Sequence, residues 1–141
     1  MSLSAKEVLS QTPLYTDEVI YTFIKLPASA IWAGAGIVAD LGESFSALIA
    51  DKDEVTLVMS LEAWQEDYAK RLPLAEQHGE YRLITFDMVL EFSLTGFMAL
   101  VATLLAEAGI SLIPLGAFSR DHILVPADSF EKAWATLQAA K

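Results

Sequence analysis

The sequence predicts an α+β protein made of two ferredoxin-like (βαββαβ) modules packed together, each an antiparallel sheet with helices on one face. Three observations support this class. The second half of the chain has the order strand, helix, strand, strand, helix, which is the core order of a ferredoxin-like fold. The first half repeats that order once. Between them, residues 73–79 run from a proline to a glycine and predict a linker, which divides the chain into modules 1–79 and 80–141.

The first module opens with an N-terminal arm, residues 1–18, predicted to be extended or a short helix. Residues 19–26 are rich in β-branched and aromatic side chains, which indicates a strand. Residues 28–43 are rich in alanine and glycine and predict a short or irregular helix. A hairpin is predicted from 44–50 and 54–60.

A helix, a linker and a strand connect the two modules. Residues 61–71 place apolar side chains at helical spacing. Residues 73–79, which begin with Pro73 and end with Gly79, predict a linker. Residues 81–90 restart the pattern as a strand that ends at Glu91.

The strongest helix signal lies at residues 93–108. One apolar stripe recurs there at helical spacing; it consists of Leu94, Phe97, Met98, Val101, Leu104, Leu105 and Ala108. Ser93 is expected to cap the free N–H groups at its start. Gly109 is expected to end it in a left-handed conformation, which favours a residue without Cβ.

Two strands and a helix complete the second module. Residues 110–118 predict a strand, and Pro114 places it at an edge because proline cannot donate to a ladder. Residues 122–125 predict the returning strand. Asp128 followed by Glu131 has the spacing of a helix capping box, which predicts the start of the last helix.

Composition argues against several functional classes. The net charge is −10, with 9 basic and 19 acidic residues, which argues against nucleic acid and anionic membranes as partners. No cysteine is present, which excludes disulfides and a cysteine nucleophile. The longest uncharged run, 92–106, is shorter than the roughly 20 residues of a spanning helix. The first residues lack a signal-peptide pattern, so a cytoplasmic protein is expected.

Residues 34–39 fit a loose dinucleotide-binding pattern, Gly-x-Gly-x-x-Ala. Such a site needs a crossover of at least roughly ten to twelve residues to a parallel strand. The next predicted strand begins too early for that, and no clear strand precedes Gly34. We therefore interpret the two glycines as a connection between elements, and no cofactor is predicted.

The two histidines do not predict a catalytic or zinc site. His78 lies in the linker and His122 in a strand, far apart in sequence. Asp121 precedes His122, but adjacent strand residues point to opposite faces. The carboxylates of residues 51–54 are interpreted as a solvated hairpin tip rather than calcium ligands. No catalytic residue and no metal site is predicted.

Glu91 and Asp121 are the carboxylates that suggest a ligand. Both are expected near the start of the helix at 93–108. Acidic side chains suit an ammonium group, and the free N–H groups of a helix start suit a carboxylate, so a free amino acid fits both. Alternatively, Glu91 is only a favourable charge near a helix start and Asp121 a turn residue.

The second half also resembles a known family. The segment LEFSLTGFMALVATLLAEAGISLIPLGAFSRDHILVPADSFEKAWATL is similar to the ACT domain, in its small tandem form related to amino-acid-sensing proteins. The resemblance is carried by Glu91, Phe92 to Gly96, Gly109 to Ser111, Asp121 to Val125 and Ala133. A weaker match lies upstream, in the segment SFSALIADKDEVTLVMS.

The resemblance implies a ligand between the two modules. Family members hold it with the acidic residue before Phe-Ser-Leu-Thr-Gly, with residues around the later turn and with a strand of the other module. The expected ligand-binding residues are Glu91, Asp121, Phe118, Thr56, Leu57, Met88 and Ser93. Ser93 is included because it lies at the expected helix start. Met88 departs from the family pattern, because the family often has glycine there. Arg120 is a second departure, and it is positioned to neutralise Asp121.

The function expected from the sequence is that of a non-enzymatic regulatory domain. It binds a small ligand, an amino acid, between ACT modules and acts as a homodimer, without a cofactor. The alternative is a structural dimerisation module whose pocket is filled by Met88. An enzyme would need an acid, base or nucleophile set that the sequence does not provide.

Overall fold

The computed structural model describes residues 3–141, and its contacts divide the chain into two units. The first unit is Val19–Glu80, and the second unit comprises residues 3–18 and 81–141. In chain order the elements are α1 (Ala5–Gln11), β1 (Leu14–Tyr15), β2 (Tyr21–Pro27), α2 (Ile31–Leu41), β3 (Ala47–Ala50), β4 (Glu54–Ser60), α3 (Leu61–Ala63), β5 (Glu76–Phe86), α4 (Phe97–Glu107), β6 (Ile113–Gly116), β7 (Asp121–Pro126) and α5 (Phe130–Ala139).

The first unit has antiparallel strands in the order β3–β4–β2. Tyr21 pairs with Ser60, and Ala47 pairs with Val58, so β4 lies between its two neighbours. The predicted hairpin is confirmed. Beyond α3 the chain continues through a wide π-type turn, Trp64–Tyr68, and a 3-10 turn, Ala69–Arg71. The buried core consists of Ile24, Leu26, Ile37, Val55, Leu57, Met59, Trp64 and Tyr68.

α2 is a regular helix of 11 residues rather than the short or irregular helix expected from its alanines and glycines. A Cβ atom built on Gly34 would lie 3.2 Å from Cγ1 of Val55, so Gly34 allows α2 to lie close to β4. A Cβ atom on Gly36 would meet no atom within 4 Å. One glycine therefore serves helix–sheet packing, and the other only lowers helix propensity.

Replacing Gly36 by alanine is expected to raise the free energy of unfolding by about 0.5–1 kcal/mol, because alanine restricts the unfolded chain and favours a helix. Urea unfolding followed by circular dichroism measures the change. Gly34→Ala is the matched control and should gain less, since its methyl group presses on Val55. A loss of stability in Gly36→Ala would contradict this account of α2.

The second unit pairs β5 with β7, β7 with β6, and β1 with β5, all antiparallel. β6 pairs on one side only, so Pro114 lies in an edge strand as predicted. Gly109 has a φ of 77° and ends α4 as expected. The buried core draws on α1, β5, α4, β7 and α5; it consists of Val8, Leu9, Ile84, Phe86, Phe97, Val101, Leu105, Ile110, Ile123, Val125, Phe130, Ala133 and Leu137.

The N-terminal arm packs in the second unit, whereas the sequence grouped it with the first module. Ser4 and Glu7 form a capping box that starts α1, and Val8 and Leu9 are buried. Leu14 of β1 pairs with Phe86 of β5. The long sequence separation between these partners hides this arrangement from local patterns.

The connection between the modules differs from the expected linker. Residues 76–79 belong to β5, and the Thr22 hydroxyl donates to the Gly79 carbonyl oxygen at 2.8 Å within the first unit. β5 also ends earlier than predicted, at Phe86. Glu91 therefore does not end a strand. It lies in a loop, 87–96, between β5 and α4.

Both helix starts predicted in the second module are corrected. α4 starts at Phe97 after Gly96, whose φ is 81°, and not at Ser93. Asp128 lies in a 3-10 turn before α5 and makes no cap to it. In each case a turn, rather than the predicted cap, precedes the helix. Within residues 3–141, no helix has the length and apolar character needed to cross a membrane.

Candidate functional site

A groove of about 690 Å³ opens in the second unit, beside the start of α1 and along the loop 87–96. It is lined by Leu3, Ser4, Val8, Met88, Val89, Leu90, Glu91, Ser93, Leu94 and Thr95. Met88, Glu91 and Ser93 were all expected ligand-binding residues, and the structure brings them together. The volume lies within the roughly 300–1,000 Å³ typical of small-molecule sites.

Apart from Ser4, the polar side chains of the groove lie along one stretch of loop. The Ser93 hydroxyl donates to Glu91 Oε2 at 3.5 Å, and the Thr95 hydroxyl donates to the Ser93 carbonyl oxygen at 3.4 Å. The Leu94 N–H donates to the Glu91 carbonyl oxygen at 3.0 Å. Glu91 itself is exposed. Its carboxylate is therefore open to a cationic group of a ligand.

The turn between β6 and β7 holds the loop in place. The Leu90 N–H donates to the Ser119 carbonyl oxygen at 2.7 Å. The rings of Phe92 and Phe118 meet edge to face, with centroids 5.0 Å apart. Nε of Arg120 donates to Oδ1 of Asp87 at 2.9 Å. Arg120 thus pairs with Asp87, whereas the sequence suggested Asp121 as its partner.

Phe118 and Asp121 lie near the groove but do not line it. Phe118 is 81% exposed and packs on Phe92. Asp121 begins β7, where it pairs with Gly116 across the hairpin. Phe118 therefore contacts the loop that lines the groove rather than the groove itself.

Thr56 and Leu57 lie on β4 of the first unit. The Leu57 side chain is fully buried in the core of that unit, so it is not available to a ligand. The Thr56 hydroxyl is 3.5 Å from Glu54 Oε2. The ligand position between modules that the family resemblance implied stays a prediction.

Several lining residues were missed because they come from α1 and from the two residues before it. Leu3, Ser4 and Val8 form one wall of the groove, yet the arm was expected only as an extended segment or short helix. The capping box of Ser4 and Glu7 was the available signal, since it places a helix start directly before Val8. Nothing local to the sequence indicates that this helix packs beside the loop.

His122 follows Asp121 in β7, and its Nδ1 lies 2.8 Å from the Thr85 hydroxyl. Burial lowers the pKa of His122 from its ordinary value of 6.5, and Arg120 adds to this, while Asp121 opposes it. The neutral imidazole is therefore the form that the folded protein favours.

Lowering the pH from 7.5 to 5.5 is expected to destabilise the protein through His122. Its folded pKa lies below the unfolded value, so its stabilising contribution is complete above pH 6.5 and is lost as pH falls through the folded pKa. The slope for one proton is at most about 1.4 kcal/mol per pH unit. Urea unfolding across this range should show a weaker pH dependence in His122→Gln than in the control His78→Gln. An equal pH dependence of the free energy of unfolding in the two variants would contradict this role of His122.

A second groove, of about 470 Å³, lies in the first unit between α2 and the turns that follow α3. The Tyr68 hydroxyl donates to the Asp40 carboxylate, which together with burial raises the pKa of Tyr68 to about 12. The Arg71 guanidinium lies over the Tyr68 ring, 5.1 Å from its centroid. The phenol stays protonated at neutral pH and serves as a donor rather than a base. None of the expected site residues lies here.

Across the described part of the chain, no group of three or more His, Asp or Glu side chains comes together that could bind a metal ion. The carboxylates of Asp51 and Glu54, which the sequence placed at a hairpin tip, are local turn groups. Asp51 Oδ1 accepts from the N–H groups of Asp53 and Glu54 at 2.8 and 2.9 Å. The groove of the second unit is therefore the best candidate site.

The sequence of residues 78–139 matches the model of the ACT domain family. The resemblance proposed from the sequence motifs is confirmed for this segment, which contains the whole loop 87–96 and the turn residues that contact it, Phe118, Ser119 and Arg120. No curated protein sequence matches the chain.

Solved structures match nearly the whole chain. A protein of unknown function from Vibrio cholerae, described as a possible transport protein, is 26% identical, with 97% of this chain and 95% of that chain covered and a TM-score of 0.75. A protein from Agrobacterium tumefaciens is 24% identical, with 90% and 87% covered and a TM-score of 0.68.

The regulatory subunit of aspartate kinase from Thermus flavus has the same fold at 13% identity. The match covers 92% of this chain and 97% of that chain, with a TM-score of 0.69. The α+β fold with antiparallel strands and helices is therefore similar to that of ACT regulatory domains.

Proposed function

We propose that this chain, with its ACT domain at residues 78–139, is a non-enzymatic regulatory protein of two ACT modules that binds a small amino acid. The observation that carries the proposal is the groove of the second unit, where Glu91 stands among apolar walls and hydroxyl groups. The regulatory role is supported by the fold shared with the aspartate kinase regulatory subunit of Thermus flavus.

Glu91 suits the ammonium group of an amino acid. Glu91 lines the groove, and within residues 3–141 its side chain has no hydrogen bond other than the long one from the Ser93 hydroxyl. A hydrogen bond between an ammonium and a carboxylate is charge-assisted and roughly twice as strong as a neutral one. Glu91 thereby fixes one end of the ligand.

The opposite end of the ligand has donors within the same stretch. Ser93 and Thr95 line the groove, and Thr95 lies two residues before the start of α4. Gly96 caps α4 without a side chain, so the first-turn N–H groups of that helix have no side-chain acceptor. Such groups favour a carboxylate. An amino acid thus finds a partner for each of its charged groups.

The second candidate function is a dimerisation module without a ligand, and Met88 favours it. Its side chain packs against the core of the second unit and also lines the groove. A flexible methionine can fill an irregular space that glycine would leave open. In that case, the groove holds no small molecule and the protein only joins two copies.

Titration calorimetry of the full chain against each of the twenty amino acids, with light scattering for the oligomeric state, tests the two functions. We expect saturable heat with at least one amino acid, and light scattering should give the mass of a homodimer. The N-acetyl form of the same compound is the control, since it lacks the ammonium group and should not bind. No heat with any amino acid, together with a stable dimer, would favour the dimerisation module.

A further inference from the structure

We propose that the groove selects an amino acid with an uncharged, apolar side chain, such as leucine or methionine, and rejects aspartate and glutamate. This inference rests on the proposed function, because it names the class of ligand for the same site. It follows from the walls of the groove and from the charges that they lack.

The walls of the groove are mostly apolar. Their apolar members come from α1, from the segment just before it and from the loop 87–96; they are Leu3, Val8, Met88, Val89, Leu90 and Leu94. Met88, Leu90 and Leu94 also pack against the buried core of the second unit, so their side chains form a supported surface. When an apolar ligand side chain contacts these residues, it is removed from water. Each buried methylene then raises the affinity by about fourfold.

The charges of the groove are unbalanced. Among the lining residues that the structure describes, Glu91 is the only ionisable side chain, and no Lys, Arg or His joins it. The guanidinium of Arg120 is already paired with Asp87 at 2.9 Å and does not line the groove.

The charge of the ligand side chain then determines which amino acids the groove binds. An amino acid carries one ammonium and one carboxylate, which Glu91 and the donors near α4 accommodate. A second carboxylate would stand near Glu91 without a cation, and like charges repel. A second ammonium would have to share the single carboxylate. An uncharged side chain is the one class that needs no further partner.

The first test is a series of ligands measured by calorimetry. Glycine, alanine, 2-aminobutyrate and norvaline lengthen the side chain by one carbon at each step, and affinity should rise by about fourfold per step. Leucine and aspartate have similar shapes but differ in charge, so leucine should bind at least about tenfold more tightly. Binding with a flat series, or with aspartate tighter than leucine, would overturn the inference and leave the proposed function standing.

The second test compares two methionines. Met88 and Met98 are both half-buried against the same core, but only Met88 lines the groove. Met88→Ala should lower the affinity for leucine by about fivefold or more, because it removes apolar contact, while alanine binds as before. Met98→Ala should leave the leucine-to-alanine ratio unchanged. If both variants change the ratio equally, the selectivity does not come from the groove wall. If no amino acid binds the wild type, the proposed function itself fails.

Discussion

Replacing Phe86 by alanine is expected to lower the free energy of unfolding by about 3–5 kcal/mol. Phe86 ends β5 and is fully buried in the core of the second unit. Its ring meets Phe97 at the start of α4 edge to face, with centroids 5.1 Å apart. The substitution removes this contact and leaves a cavity in the core, which the surrounding residues can close only in part. Urea unfolding followed by circular dichroism measures the loss.

Phe92→Ala is the matched control. Phe92 also forms an edge-to-face pair, with Phe118 at 5.0 Å, but it is 79% exposed. Its loss should cost less than about 1.5 kcal/mol, the value of an aromatic pair beyond its burial. The comparison holds the substitution and ring geometry constant and varies burial. Equal losses in the two variants would mean that the Phe86 side chain is not the central packing element that its burial indicates.

Glu91→Gln is expected to weaken amino-acid binding by about 1.5–3 kcal/mol, which is about ten- to 150-fold in Kd. Glutamine keeps the size and shape of the side chain but removes the charge that pairs with the ligand ammonium. Because Glu91 is exposed, the wild-type affinity should also fall as salt is added. Calorimetry at low and moderate salt measures both effects.

Glu107→Gln controls for the change in net charge. Glu107 is exposed at the far end of α4 and does not line the groove. It should leave the affinity and the oligomeric state unchanged, and Glu91→Gln should leave the oligomeric state unchanged as well. Wild-type affinity in Glu91→Gln would remove Glu91 from the site and favour a ligand held by the loop hydroxyls alone.

Elements with strong local patterns could be predicted from the sequence. The apolar stripe of α4 and the left-handed Gly109 fixed the helix end, and Pro114 indicated an edge strand. These signals depend on residues that are close together in the sequence, so they can be recognised without the tertiary structure. The family resemblance made Glu91 an expected ligand-binding residue and Met88 a departure at the same site, and the expected helix start added Ser93; all three line the groove.

The loop 87–96 could not be predicted. Its residues continue the apolar pattern of β5 and lead into that of α4, so a strand to Leu90 and a helix from Ser93 were the local expectation. The structure instead ends β5 at Phe86 and turns the chain at Gly96. Contacts with the distant turn, through Ser119, Phe118 and Arg120, hold this loop in a form that no local signal encodes.

The sequence by itself determined the class of fold, most strands and helices, and the presence of an ACT domain at residues 78–139. Periodicity, caps and the family motif each depend on residues that are close together in the sequence, so the sequence is enough to identify them. The tertiary structure alone decided that the N-terminal arm packs beside the second module and that Leu57 is buried in the first. It also brought Val8 and Glu91 together in the lining of one groove. Those outcomes depend on pairings between residues far apart in the chain, whose energy appears only once the core has formed.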